Sequence, residues 1–326
     1  MKALEETSIF VAGHNGMLGK QLIKRLLAKG YTVATMEREE LDLTNQQAVY
    51  SLFKSSHFDI VINAAARVGG IEANRTLRRE FLFENLMIQS NILHAAYQTQ
   101  IPKLITFGSA CTYPITAPQP LTEESLGQGV IEKTNEAYGL SKLVTVKLAE
   151  YLREDHGLDY TTLVPTNMYG PEDNFHPEHS HVIPALIKKF HEAKLSEQKS
   201  VKLWGSGKPI RDFLFVDDCV DAILLMLGES KQKSHLNVGS GTGISIKDLA
   251  YQIKECIQYE GTIEFDQTMP DGAMKKVLDT QKISAMGWKP KTSLREGLAT
   301  TYDWYLANQG ASIDSIRHGM THHSKR

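Results

Sequence analysis

Tyr138 and Lys142 lie four residues apart, so on a helix they project from one face. An ammonium beside a phenol favours the phenolate and lowers a hydroxyl pKa that starts near ~10. Ser109, upstream, offers a hydroxyl that can donate to the same oxygen. Such a set can give a proton to an alkoxide, or take one from a carbinol, while hydride moves at the attached carbon. The hydride carrier has its own place. Gly13, Gly16 and Gly19 fall between a short apolar run and a helical pattern. There Gly13 allows the turn, Gly16 a close approach to pyrophosphate, and Gly19 the packing of helix on sheet. The N–H groups at the helix start then face the anion. The chemistry implied is redox at a carbinol or ketone, with a dinucleotide.

Cys111 follows Ser109 by two residues, and His181 begins a later helical pattern. Cys111 is either a small buried thiol or a group over the substrate. His181 is either at a helix N-cap or part of an acid/base pair with Cys111. Protons alpha to a ketone are acidic because the enolate places its charge on oxygen. A base on one face and an acid on the other would invert the carbon between them. A thiolate base would need positive charge nearby. At the end of the second strand the chain reads Met36-Glu37-Arg38. An acidic residue there holds a ribose 2′-hydroxyl and a basic one a 2′-phosphate. Arg38 points to NADP, and Glu37 argues against it. Asp42 is placed either to approach the adenine or to cap a helix.

Strand and helix patterns alternate in the order these groups require. Strands are expected at Ser8–Ala12, Tyr31–Thr35, Asp59–Ala64, Lys103–Gly108 and Tyr160–Pro165. Helices are expected at Gly16–Lys29, Asn45–Ser55, Arg79–Gln98 and Asn135–Asp155. This βαβ alternation predicts an α/β fold with a Rossmann-like, doubly wound parallel sheet. Open sheets of that kind place ligands at the carboxyl ends of their strands, where Ser109, Cys111, Asn167 and Tyr169 would lie. After Pro165 the pattern loosens. Helices are expected at His181–Ala193, Asp218–Leu227, Ser245–Tyr259 and Leu294–Asn308, with Arg211–Val216 a strand rejoining the sheet. The expected organisation is a dinucleotide-binding domain over 1–165, with 208–240 returning to it. A smaller, interleaved substrate lobe spans 166–207 and 241–310, and 311–326 form a flexible tail.

The 326 residues carry a formal net charge of −2, which gives no footprint for nucleic acid. Three scattered cysteines, Cys111, Cys219 and Cys256, suit neither a disulfide framework nor a zinc site, and a reducing cytosol is expected. Met1 to Thr7 is polar and acidic rather than a leader, and no apolar run approaches the ~18 residues of a membrane span. The tail histidines His318, His322 and His323 suggest metal binding less than a frayed terminus. No metal is expected.

Taken together, these residues resemble the extended short-chain dehydrogenase/reductase family. The likeness runs from about Ile9 to Asn308. It rests on Val11–Gly19, Val68–Ile71, Glu84–Asn91, Gly108–Pro114, Pro165–Pro171, Asp173–Pro177, Ser180–Leu186, Trp204–Gly207 and Arg211–Asp218. Within that family the chain is similar to enzymes that convert GDP-4-keto-6-deoxy-D-mannose to GDP-L-fucose, by 3,5-epimerisation and NADPH-dependent 4-reduction. The resemblance implies Ser109, Tyr138 and Lys142 as the reductase triad, with Cys111 and His181 as epimerase base and acid. It implies NADP(H) contacts at Gly13, Asn15, Gly16, Met17, Gly19, Arg38 and Asp42. Further along the cofactor they fall at Ala64, Tyr138, Lys142, Pro165, Asn167 and His181. Substrate contacts are implied at Asn167, Lys189, Trp204, Arg211 and Lys276, with Arg211 on the diphosphate. A homodimer through a four-helix bundle of Arg79–Gln98 and Asn135–Asp155 is also implied. The chain departs from the family in three places. Asn15 stands where an arginine is frequent, an additional arginine near Met36 is missing, and Ala110 replaces a serine. The alternatives are reduction of another 4-keto nucleotide sugar, such as a heptose or another deoxy sugar, and a non-catalytic NADP-binding sensor.

Overall fold

In the computed structural model of the chain, β1 (Ser8–Ala12) sends Ile9 and Val11 to one face and Phe10 and Ala12 to the other, all four buried. A strand buried on both faces requires helices on both sides of its sheet. The chain supplies them in alternation: α1 (Met17–Ala28), β2 (Thr32–Ala34), α2 (Gln46–Ser55), β3 (Ile60–Asn63), α3 (Ile71–Thr76), α4 (Arg78–Gln98), β4 (Lys103–Phe107), α5 (Glu136–His156) and β5 (Asp159–Pro165). It continues through β6 (Asn167–Tyr169), α6 (Val182–Leu195), β7 (Ser200–Trp204), β8 (Ile210–Arg211), β9 (Phe213–Phe215), α7 (Val216–Gly228), β10 (Leu236–Val238), β11 (Ile244–Ser245), α8 (Ile246–Ile257), β12 (Thr262–Asp266), β13 (Lys275–Lys276), α9 (Gln281–Ala285) and α10 (Leu294–Asn308). The structure describes residues 4–176, 179–228, 235–269 and 271–308. The tail with its three histidines, and Pro177 of the Asp173–Pro177 stretch, lie outside them.

Six parallel strands form the central sheet in the order β10-β5-β4-β3-β1-β2, with Phe10 opposite Val61 and Ile62 opposite Ile105. The doubly wound α/β class read from the alternation is the class observed. Leu18, Leu22 and Leu26 of α1 pack with Val220 and Ile223 of α7 on one face. Val49 and Phe53 of α2, Ile92 and Ala96 of α4, and Ala149 of α5 cover the other. From β1 the chain runs out to β2 and returns to β3, which makes the β1/β3 carboxyl ends the switch point where ligands enter such sheets.

A second core joins α6, α8 and α10 to the parallel pair β7/β12 through Ile187, Phe190, Val201, Leu203, Ile253 and Leu298. Here the structure departs from the expected strand at Arg211–Val216. That segment is split. Ile210–Arg211 pairs with β11 and β13, whereas Phe213–Phe215 pairs with β6. Asp212 between them accepts from Ser240 N and Ser240 Oγ at 3.0 and 2.6 Å, so its carboxylate serves the following loop rather than a ladder. The sixth strand is Leu236–Val238, three buried residues too short to show a period. Among the described residues no helix is long and apolar enough to cross a membrane.

Candidate active site

The glycine turn sits at the switch point. Gly13 has φ +81°, and a Cβ there would lie 2.5 Å from the Ala65 nitrogen and 2.7 Å from the Ala64 carbonyl carbon. A Cβ on Gly19 would lie 2.2 Å from the Gly13 oxygen, so α1 can begin this close to β1 only with glycine. Gly16 is different. A Cβ on it would meet only the Gly13 oxygen, 3.5 Å away, and no side chain caps the N–H groups that start at Met17. Facing it, the loop after β3 is fixed from α4. Gln89 donates to the Ala65 carbonyl at 3.0 Å and accepts from Asn63 and Thr106. Asn85 clasps Arg67 through both its N–H and its carbonyl, at 2.8 and 3.0 Å.

Ser109 follows β4, and its Oγ accepts from the Cys111 N–H at 3.2 Å, capping the short turn Ala110–Thr112. Helix α5 meets this turn at Gly139, where a Cβ would be 2.8 Å from the Cys111 carbonyl oxygen. That approach brings Tyr138 to Ser109. The Ser109 hydroxyl and Cys111 are both near enough to Tyr138 to act on its phenol. Burial raises the Tyr138 pKa, and Cys111 adds to the rise while Ser109 opposes it. Lys142 is 2% exposed and donates to the Phe107 carbonyl at 3.0 Å, with its Nζ 5.8 Å from the Tyr138 ring centroid. Burial lowers its pKa to about 8. The expected depression of the tyrosine by Lys142 is not found, because the ammonium is aimed at a backbone oxygen.

His181 is the residue before α6, and burial lowers its imidazole pKa. Its segment is held against Gly69 and Gly70. The Gly70 N–H donates to the His179 carbonyl at 3.0 Å, and a Cβ on Gly70 would be 2.4 Å from the Ser180 oxygen. Arg211 approaches from the other core. Its Nη1 donates to the Ile210 and Ala273 carbonyls at 2.9 and 2.6 Å, and Glu132, Cys111 and Asp271 lie within electrostatic reach of the guanidinium. Lys276 pairs with Glu132 at 2.8 Å, both largely buried. Asn167 donates to the Asp212 carbonyl at 2.9 Å, and Lys189 to the Lys202 carbonyl at 2.6 Å. Trp204, at the end of β7, is 64% exposed, and Ser206 just beyond it bonds to Asp271 beside Arg211. Pro165 closes β5 opposite Val238. Thus Ser109, Tyr138, Lys142, Cys111 and Arg211 converge, whereas Lys189 and Trp204 stand on the outer strand and helix of the second core.

At the far end of the crevice Glu37 accepts from Asn15 Nδ2 at 2.8 Å and contacts His14 Nε2 at 3.0 Å. Arg38 and Asp42 are exposed. Asp42 accepts from Thr44 in a local turn, and the helix cap considered for it belongs to Asn45, which accepts from the Ala48 N–H.

A family model described as the NAD dependent epimerase/dehydratase family matches residues 9–239. The chain belongs to that family. It is 45% identical over 305 residues to GDP-L-fucose synthase 1 of Arabidopsis thaliana, covering 93% of this chain and 94% of the relative. It is 43% identical over 316 residues to GDP-L-fucose synthase of Escherichia coli strain K12, covering 94% and 98%. Among solved structures, the GDP-mannoheptose C4 reductase of Campylobacter jejuni with NADP bound superposes with a TM-score of 0.86 at 35% identity, covering 94% and 100%.

Several residues that build this epimerase/dehydratase site carry no signal of their own in the sequence. Glu132 lies in a polar loop, and its partner Lys276 is 144 positions away. Gln89 and Asn85 belong to the Glu84–Asn91 stretch, which marks a likeness without naming a task. Two amides on a helix otherwise bound for the core are the one local hint, because buried amides need partners.

Proposed function

We propose that this chain converts GDP-4-keto-6-deoxy-D-mannose to GDP-L-fucose by 3,5-epimerisation followed by C4 reduction with NADPH. The observation that carries the reading is one cluster in which the Ser109–Tyr138 pair, the Cys111 thiol and the Arg211 guanidinium meet, in a chain 43–45% identical to GDP-L-fucose synthases. The residues fit a dinucleotide. Gly13 and Gly19 leave no room for side chains, and Gly16 leaves open space before uncapped helix N–H groups. Gly13, Gly16, Met17 and Gly19 would hold the diphosphate, with Ala64, Pro165, Asn167 and His181 along its course and Arg38 and Asp42 at the adenosine end. NADPH, when bound, supplies the hydride for C4.

The protein's own groups do the rest. Arg211, with Lys276 opposite it on β13, receives the nucleotide diphosphate, and Lys189 and Trp204 are further substrate contacts on α6 and β7. Cys111 removes the protons at C3 and C5, which the C4 carbonyl acidifies, with the Arg211 guanidinium within electrostatic reach of it. His181 presents an imidazole N–H to the opposite face of the enolate, and C3 and C5 invert. Ser109 then donates to the C4 oxygen, and Tyr138, a phenol at neutral pH, gives it a proton. Lys142 holds the cofactor ribose.

We further infer that residues 1–165, with 208–240, act as the dinucleotide domain, and 166–207 with 241–310 as the substrate lobe. Two copies associate through α4 and α5, whose outer faces expose Phe83, Leu140, Val144 and Tyr151. The three free cysteines suit the cytoplasm. The test is incubation with NADPH and the 4-keto sugar in deuterated water, followed by NMR. Deuterium at C3 and C5 with a new C4 carbinol is the expected product. Reduction without deuterium would leave a simple C4 reductase, the activity that the Campylobacter relative's name states.

A further inference from the structure

We propose that Glu132 makes the diphosphate site selective by charge: it admits a nucleoside diphosphate whose terminal phosphate is esterified and disfavours the free nucleoside diphosphate. This rests on the reading of Arg211 and Lys276 as the diphosphate site, and adds to that site a residue that opposes an anion. Arg211 and Lys276 are register partners on β8 and β13, which sets two cations side by side. Glu132 reaches toward both. Its Oε2 accepts from Lys276 Nζ at 2.8 Å, and its Oε1 accepts from Thr134 Oγ1 at 3.0 Å. Gly272 marks how near the guanidinium is, because a Cβ there would lie 3.1 Å from Arg211 Nη2 and 3.5 Å from Glu132 Oε1. The Glu132 and Lys276 side chains are only 15% and 13% exposed, so solvent ions screen the group poorly.

The carboxylate is fixed in charge and in place. Burial alone would raise its pKa, but Lys276, Thr134 and Arg211 more than offset that and hold it below the ordinary range, so it is an anion at neutral pH. Its backbone carbonyl accepts the Asn135 N–H at 3.0 Å in the turn that opens α5, the helix of Tyr138. Tyr138 meets the sugar, so Glu132 stands on the sugar side of the two cations. The phosphate it faces is the one that carries the sugar. As an ester that phosphate bears one charge. Free, it loses a second proton near pH ~6 and bears almost two. Asp271, held by Ser206 at 2.8 and 2.6 Å, is a second carboxylate within reach of Arg211. Arg211 and Lys276 alone would bind the more highly charged anion more tightly. With Glu132 fixed between them and the chemistry, the extra charge is repelled instead.

The test is calorimetric binding of two probes to the full chain at pH ~7.5 without divalent cations. The probes are guanosine diphosphate and its terminal-phosphate methyl ester, which has the charge of a nucleotide sugar but no sugar. The wild type should bind the ester about tenfold more tightly than the free diphosphate. Glu132→Gln keeps a contact for Lys276 without the charge. It should tighten the free diphosphate by about tenfold and the ester by less than about threefold, so that the difference closes. Glu132→Asp keeps the charge and should keep the wild-type order. A residue that merely held the fold would weaken both probes alike and leave their ratio unmoved. Wild-type binding of the free diphosphate as tight as that of the ester, or a ratio unmoved by Glu132→Gln, would overturn the proposal. Binding of neither probe, or binding of both that Arg211→Ala leaves unchanged, would overturn the diphosphate-site reading, and this inference with it.

Discussion

A tyrosine can donate a proton only while it holds one, and burial keeps Tyr138 in that state by raising its pKa. Tyr138→Phe should therefore lower the rate of reduction by about 10²–10⁴-fold while NADPH affinity stays the same. A turnover within tenfold of wild type would reject the proton-donor role. Lys142 behaves oppositely. Burial moves its pKa down to about 8, so the ammonium persists below that pH and is lost above it. The charged form is the one that can hold a ribose hydroxyl strongly. For this reason kcat/KM for the cofactor, which reports the free protein, should fall tenfold per pH unit above about 8. A profile flat to pH ~9.5 would detach Lys142 from cofactor engagement. Cys111 is tested by isotope rather than by rate. Cys111→Ser should stop deuterium entering C3 and C5 while leaving hydride transfer to a pre-epimerised sugar, and undiminished exchange would remove it as the base.

Elements, rather than single residues, set how closely these groups meet. Gly139 allows α5 to touch the Cys111 turn, and Gln89 of α4 holds the loop opposite the glycine turn by three side-chain hydrogen bonds. Gln89→Leu would strand the amide of Asn63 and the hydroxyl of Thr106 in the core. The expected cost is about 2–4 kcal/mol in urea unfolding, with weakened NADPH binding. Unfolding energies and affinities equal to wild type would show that the Ala64–Arg67 loop holds itself. The parts legible in the sequence share one property: they are local. The buried strands, the Tyr138/Lys142 spacing and the glycine turn each lie within a few residues and follow a period. What is not legible there is non-local. The division of Arg211–Val216 depends on Asp212 finding Ser240, and the Glu132–Lys276 pair joins segments 144 residues apart. Pairings of that kind leave no periodic trace. The tyrosine's raised pKa escapes the sequence for a related reason, because it depends on where Lys142 points and on how deeply the phenol is enclosed.

At the scale of the whole molecule, helix α5 has two tasks on two faces. Lys142, Thr145, Val146 and Ala149 are buried toward the sheet and the site, whereas Leu140, Val144 and Tyr151 are 41–54% exposed on the outer side. Phe83 of the adjacent α4 is also 54% exposed. A stripe of this kind at i, i+4 and i+11 on one long helix, beside a second helix, suits a partner that brings the same stripe related by a two-fold axis. Burying a carboxylate at its centre would be costly, because nothing in a self-complementary apolar contact can pair it. Val144→Asp should therefore convert a dimer to a monomer in sedimentation experiments at micromolar protein. The substituted face points away from Lys142, so NADPH affinity should change by less than about threefold. A wild-type monomer, or a Val144→Asp protein that sediments as the wild-type dimer does, would place the contact elsewhere. If monomerisation also abolished reduction, α5 would be transmitting the contact to Tyr138 through its own rigidity, and the two faces of one helix would be coupled rather than merely adjacent.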